Sequence, residues 1–398
     1  MAADVLGLVG LGLALLSLLI VVSVTRQVGF RDPLNVPRVW RRLLWIRPPD
    51  TGTFDHAPPM FTRNQRIAFV ANPTKDGVGS LREQAMRACA IRYLPEPMWF
   101  LTTEEDPGEG QARRALELGA DVVVACGGDG TVRAVATALA HSDATLGIVP
   151  MGTGNIFARN LDIPINDATA ALRLAIDGED QTVDVGWLDV RKASSESDEP
   201  QTHLFLVIAG GGLDAEMVSG ADDRLKRRLG WFAYFFAAVA HLGSKRIAAT
   251  ITVEDDEPVE SHVRTVLMGN VGRLPGGLQL IPDASAVDGM LDIATLDARG
   301  GIVGWTELLG TVMAQNAGFT DPWWAKMLKA SRIDHRQARS VAVSFEQPQK
   351  VQVDGEVLDR ATEITARVDA GALTVRVGSD AVEELEQAET ARENSAVE

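Results

Sequence analysis

Cysteine is scarce in this chain of 398 residues, which contains only Cys89 and Cys126. With so few cysteines no disulfide framework is implied, and the sequence indicates a fold held by an apolar core in a reducing compartment. The six histidines are scattered, without the spacing of zinc ligands. Positive charge is also in deficit: the formal net charge is −16 at pH 7, which argues against a general nucleic-acid-binding protein.

Three widespread catalytic motifs are missing as well. The sequence has no Gly-x-x-x-x-Gly-Lys-Ser/Thr phosphate loop, no Gly-x-Ser-x-Gly nucleophile elbow and no His-Glu-x-x-His zinc helix. The corresponding classes of P-loop nucleotidase, serine hydrolase and zinc metallopeptidase therefore find little support. Any nucleotide chemistry has to use another kind of phosphate site.

A long apolar run stands near the N-terminus and is followed by a basic segment. Residues 5–24 are uncharged and almost wholly apolar, close to the roughly 20 residues that a helix needs to cross a bilayer. The arginines that follow are Arg26, Arg31, Arg38, Arg41, Arg42 and Arg47. We therefore predict a transmembrane anchor in residues 1–25 and a basic juxtamembrane linker in 26–65, in a single-pass cell-membrane protein with cytoplasmic catalytic domains. A buried core helix is the alternative interpretation.

From residue 66 onwards, short apolar strands alternate with helical segments. Strands are predicted at 67–71, 98–103, 122–126 and 146–149, and helices at 81–91, 112–118 and 168–176. This alternation predicts a three-layer α/β domain over residues 66–180, with a mostly parallel sheet that binds ligands at the carboxyl ends of its strands. Polar residues at such ends are Asn72, Thr102 or Thr103, Asp129 and Thr153.

Two glycine turns follow neighbouring strands of this domain. The first is Gly127-Gly128-Asp129-Gly130 and the second is Gly152-Thr153-Gly154-Asn155. Glycine lets main-chain N–H groups approach an anion, and a helix N-terminus adds about half a positive charge. Asp129 would repel a phosphate unless it holds a cation or positions a water, so its presence indicates a metal-bound nucleotide. We predict that both turns flank one nucleotide.

The second half of the chain is rich in strands. They are predicted at 183–190, 204–209, 247–253, 265–269, 291–296, 341–345, 351–353 and 373–377, which indicates an antiparallel β-sandwich over residues 181–378. Helices are predicted at 225–242 and 302–313; the first is basic and aromatic, and either faces a membrane or packs on the sheet. Residues 379–398 are acidic and are predicted to be a disordered tail.

Acidic turns recur in this half, at Asp184, in the 282–292 segment and at Asp354-Gly355-Glu356. Asp-Gly is a common hairpin turn, so each is explained by structure alone. The last one nevertheless presents two carboxylates around one tight turn. Beside a phosphate site, one carboxylate could take a proton from an attacking hydroxyl while others hold Mg²⁺.

Six motifs occur in the order found in the diacylglycerol kinase catalytic-domain family, which the chain resembles. They are Asn72-Pro73, Gly127-Gly128-Asp129-Gly130-Thr131, Gly152-Thr153-Gly154-Asn155, Gly210-Gly211-Gly212-Leu213-Asp214, the 282–292 segment and Val353-Asp354-Gly355-Glu356. The family includes bacterial diacylglycerol kinases, ceramide kinase and sphingosine kinases. The resemblance implies ATP and Mg²⁺ in a cleft between the two domains, with the last strands of the chain returning to the first. The implied reaction transfers the γ-phosphate to the primary hydroxyl of diacylglycerol or a related membrane lipid.

The resemblance also implies roles for individual residues. Glu356, beside Asp354, would be the general base. The turn matching Ser285, Asp288 and Met290 would hold a structural Mg²⁺, with main-chain oxygens from the outer two residues. Asp129 and Asp184 would join a water-linked acidic network around Mg²⁺. The residues implied to contact ATP are Asn72, Pro73, Thr74, Lys75, Asp76, Thr103 or Thr102, Gly127, Gly128, Asp129, Gly130, Thr131, Val132, Arg133, Ala134, Gly152, Thr153, Gly154 and Asn155.

Two positions depart from the family pattern. Arg133-Ala134 replaces the Asn-Glu of many members, and Arg133 would either contact a phosphate or, as we slightly favour, point to solvent. Ile156 stands where many members carry an acid, so one member of the acidic network is missing. Competing functions are a kinase of a soluble substrate of the NAD kinase type and a membrane-tethered nucleotide or lipid sensor. A homodimer formed through the sandwich is also compatible with the resemblance.

Overall fold

The computed structural model describes residues 65–193, 199–212, 246–273, 284–298, 331–379 and 381. Its first part comprises β1 (Ile67–Ala71), α1 (Val78–Ile91), β2 (Met98–Leu101), α2 (Glu109–Glu117), β3 (Val122–Gly127), α3 (Asp129–Leu139), β4 (Thr145–Pro150), α4 (Ile156–Asn160) and α5 (Ala168–Asp177). The predicted helices at 225–242 and 302–313, residues 213 and 214 of the fourth motif, and almost all of the predicted acidic tail lie outside the described residues.

The first four strands form a parallel sheet in the order β2-β1-β3-β4. Every residue of β1, β3 and β4 is buried, which explains why these strands read as unbroken apolar runs. Phe69 in β1 is fully buried, and burial of such a side chain contributes about 1.5–3 kcal/mol to stability. Both cysteines are free and buried, Cys89 in α1 and Cys126 in β3.

The second part is an antiparallel β-sandwich. Its strands are β5 (Glu179–Lys192), β6 (Gln201–Phe205), β7 (Ile208–Gly211), β8 (Ile247–Val253), β9 (Val259–Val263), β10 (Thr265–Gly269), β11 (Leu291–Ala298), β12 (Ser331–Ala338), β13 (Ser340–Val353) and β14 (Glu356–Val377). A second apolar core fills it, including Phe205, Met268, Val343 and Ile364. The architecture is therefore an α/β domain followed by a β-sandwich.

Strand β14 joins the two parts. Residues 356–367 of this strand pair with β13, residues 361–377 pair with β5, and Val375 meets Leu146 of β4 in parallel register. The pairing with β5 shifts between Asp369 and Leu373, where Gly371 has a positive φ of 65°. The last described strand of the chain thus lies beside the parallel sheet of the α/β domain.

Several strand boundaries differ from the prediction. The strand predicted at 204–209 is divided, because β6 ends at Phe205 and β7 begins at Ile208. The strands predicted at 341–345 and 351–353 are one irregular strand, β13. Strands β9 and β12 were not predicted, since their sequences are largely polar and lack a clear apolar pattern.

The membrane prediction requires a correction. No helix within the ranges described above is long and apolar enough to cross a bilayer. The predicted transmembrane helix in front of the α/β domain, and the single-pass membrane location derived from it, thus have no support in the structure and are not retained. Residues 1–64, which carry the apolar run and nearly all of the basic linker, lie outside the described residues.

Candidate active site

Four strand ends meet at one edge of the parallel sheet, because β1 to β4 run in the same direction. The loop after β1 is tied to β3 by a hydrogen bond from the Asn72 N–H to the Cys126 carbonyl (3.0 Å). The side-chain oxygen of Asn72 accepts from the N–H and the hydroxyl of Thr74 (3.0 and 2.7 Å), forming an Asx turn. The predicted ATP loop at 72–76 is therefore ordered by its own first residue.

At the end of β2 the structure distinguishes the two threonines. Thr102 is buried, and its N–H donates to the Ala71 carbonyl (3.0 Å). Thr103 is exposed, and its hydroxyl accepts from the Asp106 N–H (3.1 Å). Thr103 is therefore the threonine whose side chain a ligand can reach.

The two glycine turns touch each other. The Met151 N–H donates to the Gly127 carbonyl (2.7 Å), and a Cβ added to Gly152 would lie 2.7 Å from the Gly128 Cα. Asn155 adopts a left-handed conformation (φ 46°) and closes the second turn, accepting from the Gly152 N–H (3.0 Å) and donating to the Gly152 carbonyl (2.9 Å). The turns therefore form one unit at the N-terminus of α3, where an anion would be favoured.

Asp129 holds this unit together. Its carboxylate accepts from the N–H of Asn155 (2.9 Å) and of Ile156 (2.6 Å). Burial raises the pKa of Asp129, and the amide donors and the Arg159 charge oppose that shift. The side chain of Ile156 is buried in the core, so the position where many family members carry an acid contributes its main-chain N–H here.

Arg159 was not singled out from the sequence. Its side chain is half-buried and donates from Nε to the Gly154 carbonyl (2.8 Å). Burial lowers the pKa of Arg159, and the charge of Asp129 opposes this. The sequence indicates only a basic residue one helical turn after Asn155. Such a residue is as often exposed to solvent as it is part of a binding site.

The predicted ATP contacts differ in accessibility. Thr131, Val132, Ala134 and Asn155 are buried and shape the turns from behind. Thr131 packs directly on the first turn, since a Cβ on Gly127 would lie 2.6 Å from the Thr131 Cβ. The exposed positions of the set are Pro73, Thr74, Asp76, Thr103, Gly130 and Thr153. These positions form the surface that a nucleotide could reach.

The acidic turn between β13 and β14 is anchored by Asp354. Its carboxylate accepts from the N–H of Leu206 (2.8 Å), Val207 (2.9 Å) and Ile208 (2.9 Å). Burial raises the pKa of Asp354, opposed first by the Arg133 charge and then by these donors. The three hydrogen bonds explain why β6 and β7 are separate strands. They also direct the Asp354 carboxylate to the main chain of the sandwich.

Glu356 lies on the accessible side of the same turn and forms an ion pair with Arg133 of α3. The guanidinium also donates to the Val353 carbonyl (3.1 Å). The Arg133 side chain is only 16% exposed, whereas that of Glu356 is 62% exposed. The solvent-facing orientation that we favoured for Arg133 is therefore wrong. The structure instead joins the first glycine turn to the acidic turn, 223 positions further along the chain.

His203 of β6 lies within electrostatic reach of this pair. Burial lowers the pKa of His203, and the charge of Arg133 adds to the effect, while Glu356 opposes it. These causes favour the neutral form of the imidazole. The sequence analysis did not single out His203, because the histidines lack the spacing of metal ligands.

The predicted magnesium turn precedes β11. The Asp288 carboxylate accepts from the Met290 N–H (3.0 Å), and Asp184 accepts from the N–H groups of Gly289 (2.7 Å) and Gly371 (2.8 Å). The structure thus brings Asp184 to this turn, whereas Asp129 contacts the second glycine turn. Within the described ranges no three His, Cys, Asp or Glu side chains are grouped as metal ligands. A carboxylate with main-chain oxygens, as predicted for 285, 288 and 290, still fits the ligand preference of Mg²⁺.

Asn270 is a further residue that the sequence did not reveal. It is fully buried, and its side-chain amide donates to the carbonyls of Asp184 and Leu206, both at 3.0 Å. It therefore connects the segment that holds Asp354 with the strand that supports the magnesium turn.

Two family models match the chain. The diacylglycerol kinase catalytic domain matches residues 67–188, and the YegS C-terminal NAD kinase beta sandwich-like domain matches residues 207–377. A diacylglycerol kinase of Bacillus subtilis (strain 168) is 33% identical over 238 residues, which are 58% of this chain and 74% of the relative. The chain belongs to the diacylglycerol kinase catalytic-domain family. The resemblance carried by the six motifs is confirmed.

Other members agree with this family assignment. A diacylglycerol kinase of Staphylococcus saprophyticus is 29% identical over 267 residues, 66% of this chain and 77% of the relative. For eight of the curated relatives that the chain matches, the alignments span 52% to 77% of the relatives' own length. A crystal structure of a diacylglycerol kinase from Bacillus anthracis str. Sterne superposes with a TM-score of 0.60 at 24% identity, covering 79% of this chain and 98% of that one. At this identity the likeness shows the shared fold.

Proposed function

We propose that this protein is an ATP-dependent lipid kinase. It transfers the γ-phosphate of ATP to the primary hydroxyl of diacylglycerol or a related lipid, giving phosphatidic acid or the corresponding lipid phosphate. The observation that supports the proposal best is the contact between Arg133 and Glu356, because Arg133 belongs to the helix that begins at the first glycine turn and Glu356 is a carboxylate that could accept a proton. Membership of a lipid kinase family supports the same reaction class.

ATP would bind along the carboxyl edge of the parallel sheet. The first glycine turn leads into the N-terminus of α3, and a Cβ on Gly130 would meet no atom within 4 Å, so this side of the turn is open to an anion. The exposed residues of the 72–76 loop and Thr103 border the same edge. These features fit a triphosphate, with Arg159 as a nearby cation.

A structural Mg²⁺ would be held by Asp288 with main-chain oxygens of Ser285 and Met290, since oxygen atoms are the ligands that this ion prefers. Asp184 fixes this turn through the Gly289 N–H (2.7 Å). Asp129 would contribute through water, from its place at the second glycine turn. The ligand chemistry of the residues therefore suits the metal that the family implies.

Glu356 would act as the general base. It takes the proton of the lipid hydroxyl while that oxygen bonds to the γ-phosphorus and the bond to the bridging oxygen breaks, so that ADP leaves. Asp354 has a different task in this scheme. Since its carboxylate is engaged by three main-chain N–H groups, it holds the turn on which Glu356 stands.

The test is transfer of radiolabelled phosphate from ATP, with Mg²⁺, to diacylglycerol, monoacylglycerol, ceramide, sphingosine and NAD in mixed micelles. Wild type is compared with Glu356→Gln, which removes the base but keeps its shape. We expect one lipid to be labelled, and a loss of about 100-fold or more in Glu356→Gln, since general base catalysis contributes about 10²–10⁴-fold.

Glu363→Gln is the matched control. Glu363 lies on the same strand, in a partly exposed ion pair with Arg191 (3.6 Å). Its activity should stay within about twofold of wild type, since exposed ion pairs contribute little. Labelled NAD instead of lipid would replace the lipid assignment by a kinase of a soluble substrate. Absence of transfer with intact ATP binding would favour a sensor.

A further inference from the structure

The acidic turn is rigid up to Glu356. Its main chain is fixed by the Asp354 carboxylate and by a hydrogen bond from the Asp354 N–H to the Ile208 carbonyl (2.8 Å). The Gly355 N–H donates to the buried side chain of Gln352 (2.9 Å). What these contacts leave free is the Glu356 side chain, which is 62% exposed and has several rotatable bonds.

Arg133 removes that freedom. Its guanidinium contacts two points of the turn, the Val353 carbonyl and the Glu356 carboxylate, so the position of the carboxylate is fixed relative to the main chain beside it. Arg133 itself is held in place, since its side chain is only 16% exposed and its main chain belongs to the N-terminal part of α3. A planar fork of donors suits such a two-point contact better than the single ammonium of lysine.

We propose that Arg133 is a positioning residue that aims the Glu356 carboxylate at the acceptor hydroxyl. This inference rests on the proposed function, because it assigns a role relative to Glu356 as the base. It differs from the phosphate contact implied by the family resemblance, since Arg133 acts through Glu356 and not on ATP. Catalysis is sensitive to this kind of placement: a shift of about 1 Å can lower a rate 10²-fold.

The kinetic signature separates the roles. A positioning residue lowers kcat and leaves the KM for ATP unchanged, whereas a phosphate ligand raises that KM. A positioning residue also acts only through its partner. Removal of Arg133 should therefore have no further effect in a protein in which Glu356 has already been replaced. A residue needed only for folding would change the melting temperature without either pattern.

The experiment measures kcat and the KM for ATP in Arg133→Ala, Arg133→Lys, Glu356→Gln and the double variant Arg133→Ala/Glu356→Gln. Arg191→Ala, which breaks the ion pair with Glu363, is the control. We expect a loss of about 10- to 100-fold in kcat for Arg133→Ala, with the KM within about twofold. Arg133→Lys should recover part of the loss, and the double variant should equal Glu356→Gln.

The outcomes distinguish this inference from the function on which it rests. A wild-type protein that transfers no phosphate overturns both. An active wild type with unchanged kcat in Arg133→Ala, a raised KM for ATP at unchanged kcat, or additive losses in the double variant overturns the positioning role alone. If Arg133→Ala does not fold, the charge-conserving Arg133→Lys decides, because the proposal requires it to lose kcat at unchanged KM.

Discussion

The two halves of the candidate site are built over very different distances along the chain. In the glycine-turn unit, the partners of Asp129 are 26 and 27 positions away, and Asn155 contacts Gly152 three positions away. In the acidic turn, Asp354 contacts residues that are 146 to 148 positions away, and Glu356 contacts Arg133, which is 223 positions away. One half is therefore made by two adjacent loops, and the other by the meeting of distant strands.

The two halves share one kind of support and differ in another. Hydrogen bonds to a carboxylate hold both, Asp129 in the glycine-turn unit and Asp354 in the acidic turn. The glycine turns are in addition packed closely against each other, so added volume should disturb this unit first. Loss of the Asp354 carboxylate should disturb the acidic turn first.

The largest effect is expected for Asp354→Ala. The change leaves three buried N–H groups without their acceptor, and each unsatisfied group costs about 1–3 kcal/mol, so we expect a loss of about 3 kcal/mol or more in the free energy of unfolding. Denaturant titration provides the measurement. Glu363→Ala, on the same strand, should lose less than about 1 kcal/mol. Equal losses in the two variants would show that the Asp354 contacts do not hold the turn.

A smaller loss is expected when volume is added to the glycine-turn unit. In Gly152→Ala the new Cβ would approach the Gly128 Cα to 2.7 Å, so the turns must separate, which costs about 1–3 kcal/mol. Gly130→Ala is the matched control, because its Cβ would meet no atom within 4 Å. The Gly130→Ala variant should keep the stability of wild type. It should nevertheless bind ATP more weakly, since the added methyl group enters the open side of the turn. Calorimetric unfolding and ATP titration measure the two effects; a stable Gly152→Ala would contradict the packing argument.

The same difference in distance explains what the sequence could predict. The glycine turns, their strands and the alternating pattern before residue 180 are local signals, and β1 begins and ends at the predicted residues. The division at residues 206–207 was not predictable, because its cause is a carboxylate far along the chain. At Arg133 the sequence departs from the family pattern, but no feature of the sequence indicates the partner of this residue.

The sequence also did not indicate the contacts of several residues that lie outside the motifs. Asn270, Arg159 and His203 lie in no motif, and their function follows from what surrounds them in space. The reverse also occurred: Thr131, Val132 and Ala134 were predicted to contact ATP and are buried. A motif therefore predicted the neighbourhood of the site better than the role of each residue in it.

The smallest effect is expected for His203. It tests whether the charges of Arg133 and Glu356 influence the protonation of this histidine. Burial, followed by the Arg133 charge, lowers the pKa of His203 below its ordinary value of 6.5, and Lys192 adds to this while Glu356 opposes it. The unfolded chain then binds a proton more readily than the folded protein, so the stability linked to this histidine is present above pH 6.5 and is lost as the pH falls below it.

His203→Gln should accordingly show a smaller drop in melting temperature than wild type when the pH is lowered from about 7.5 to about 5.5. Arg133→Ala should reduce the drop in part, because it removes one cause of the lowered pKa while burial remains. His262→Gln, an exposed histidine on β9, is the control and should behave as wild type. A pH dependence unchanged in both His203→Gln and Arg133→Ala would mean that His203 is not coupled to the acidic turn. A change in His203→Gln alone would assign the shift to burial and leave the Arg133 contact as a purely geometric link between the two halves.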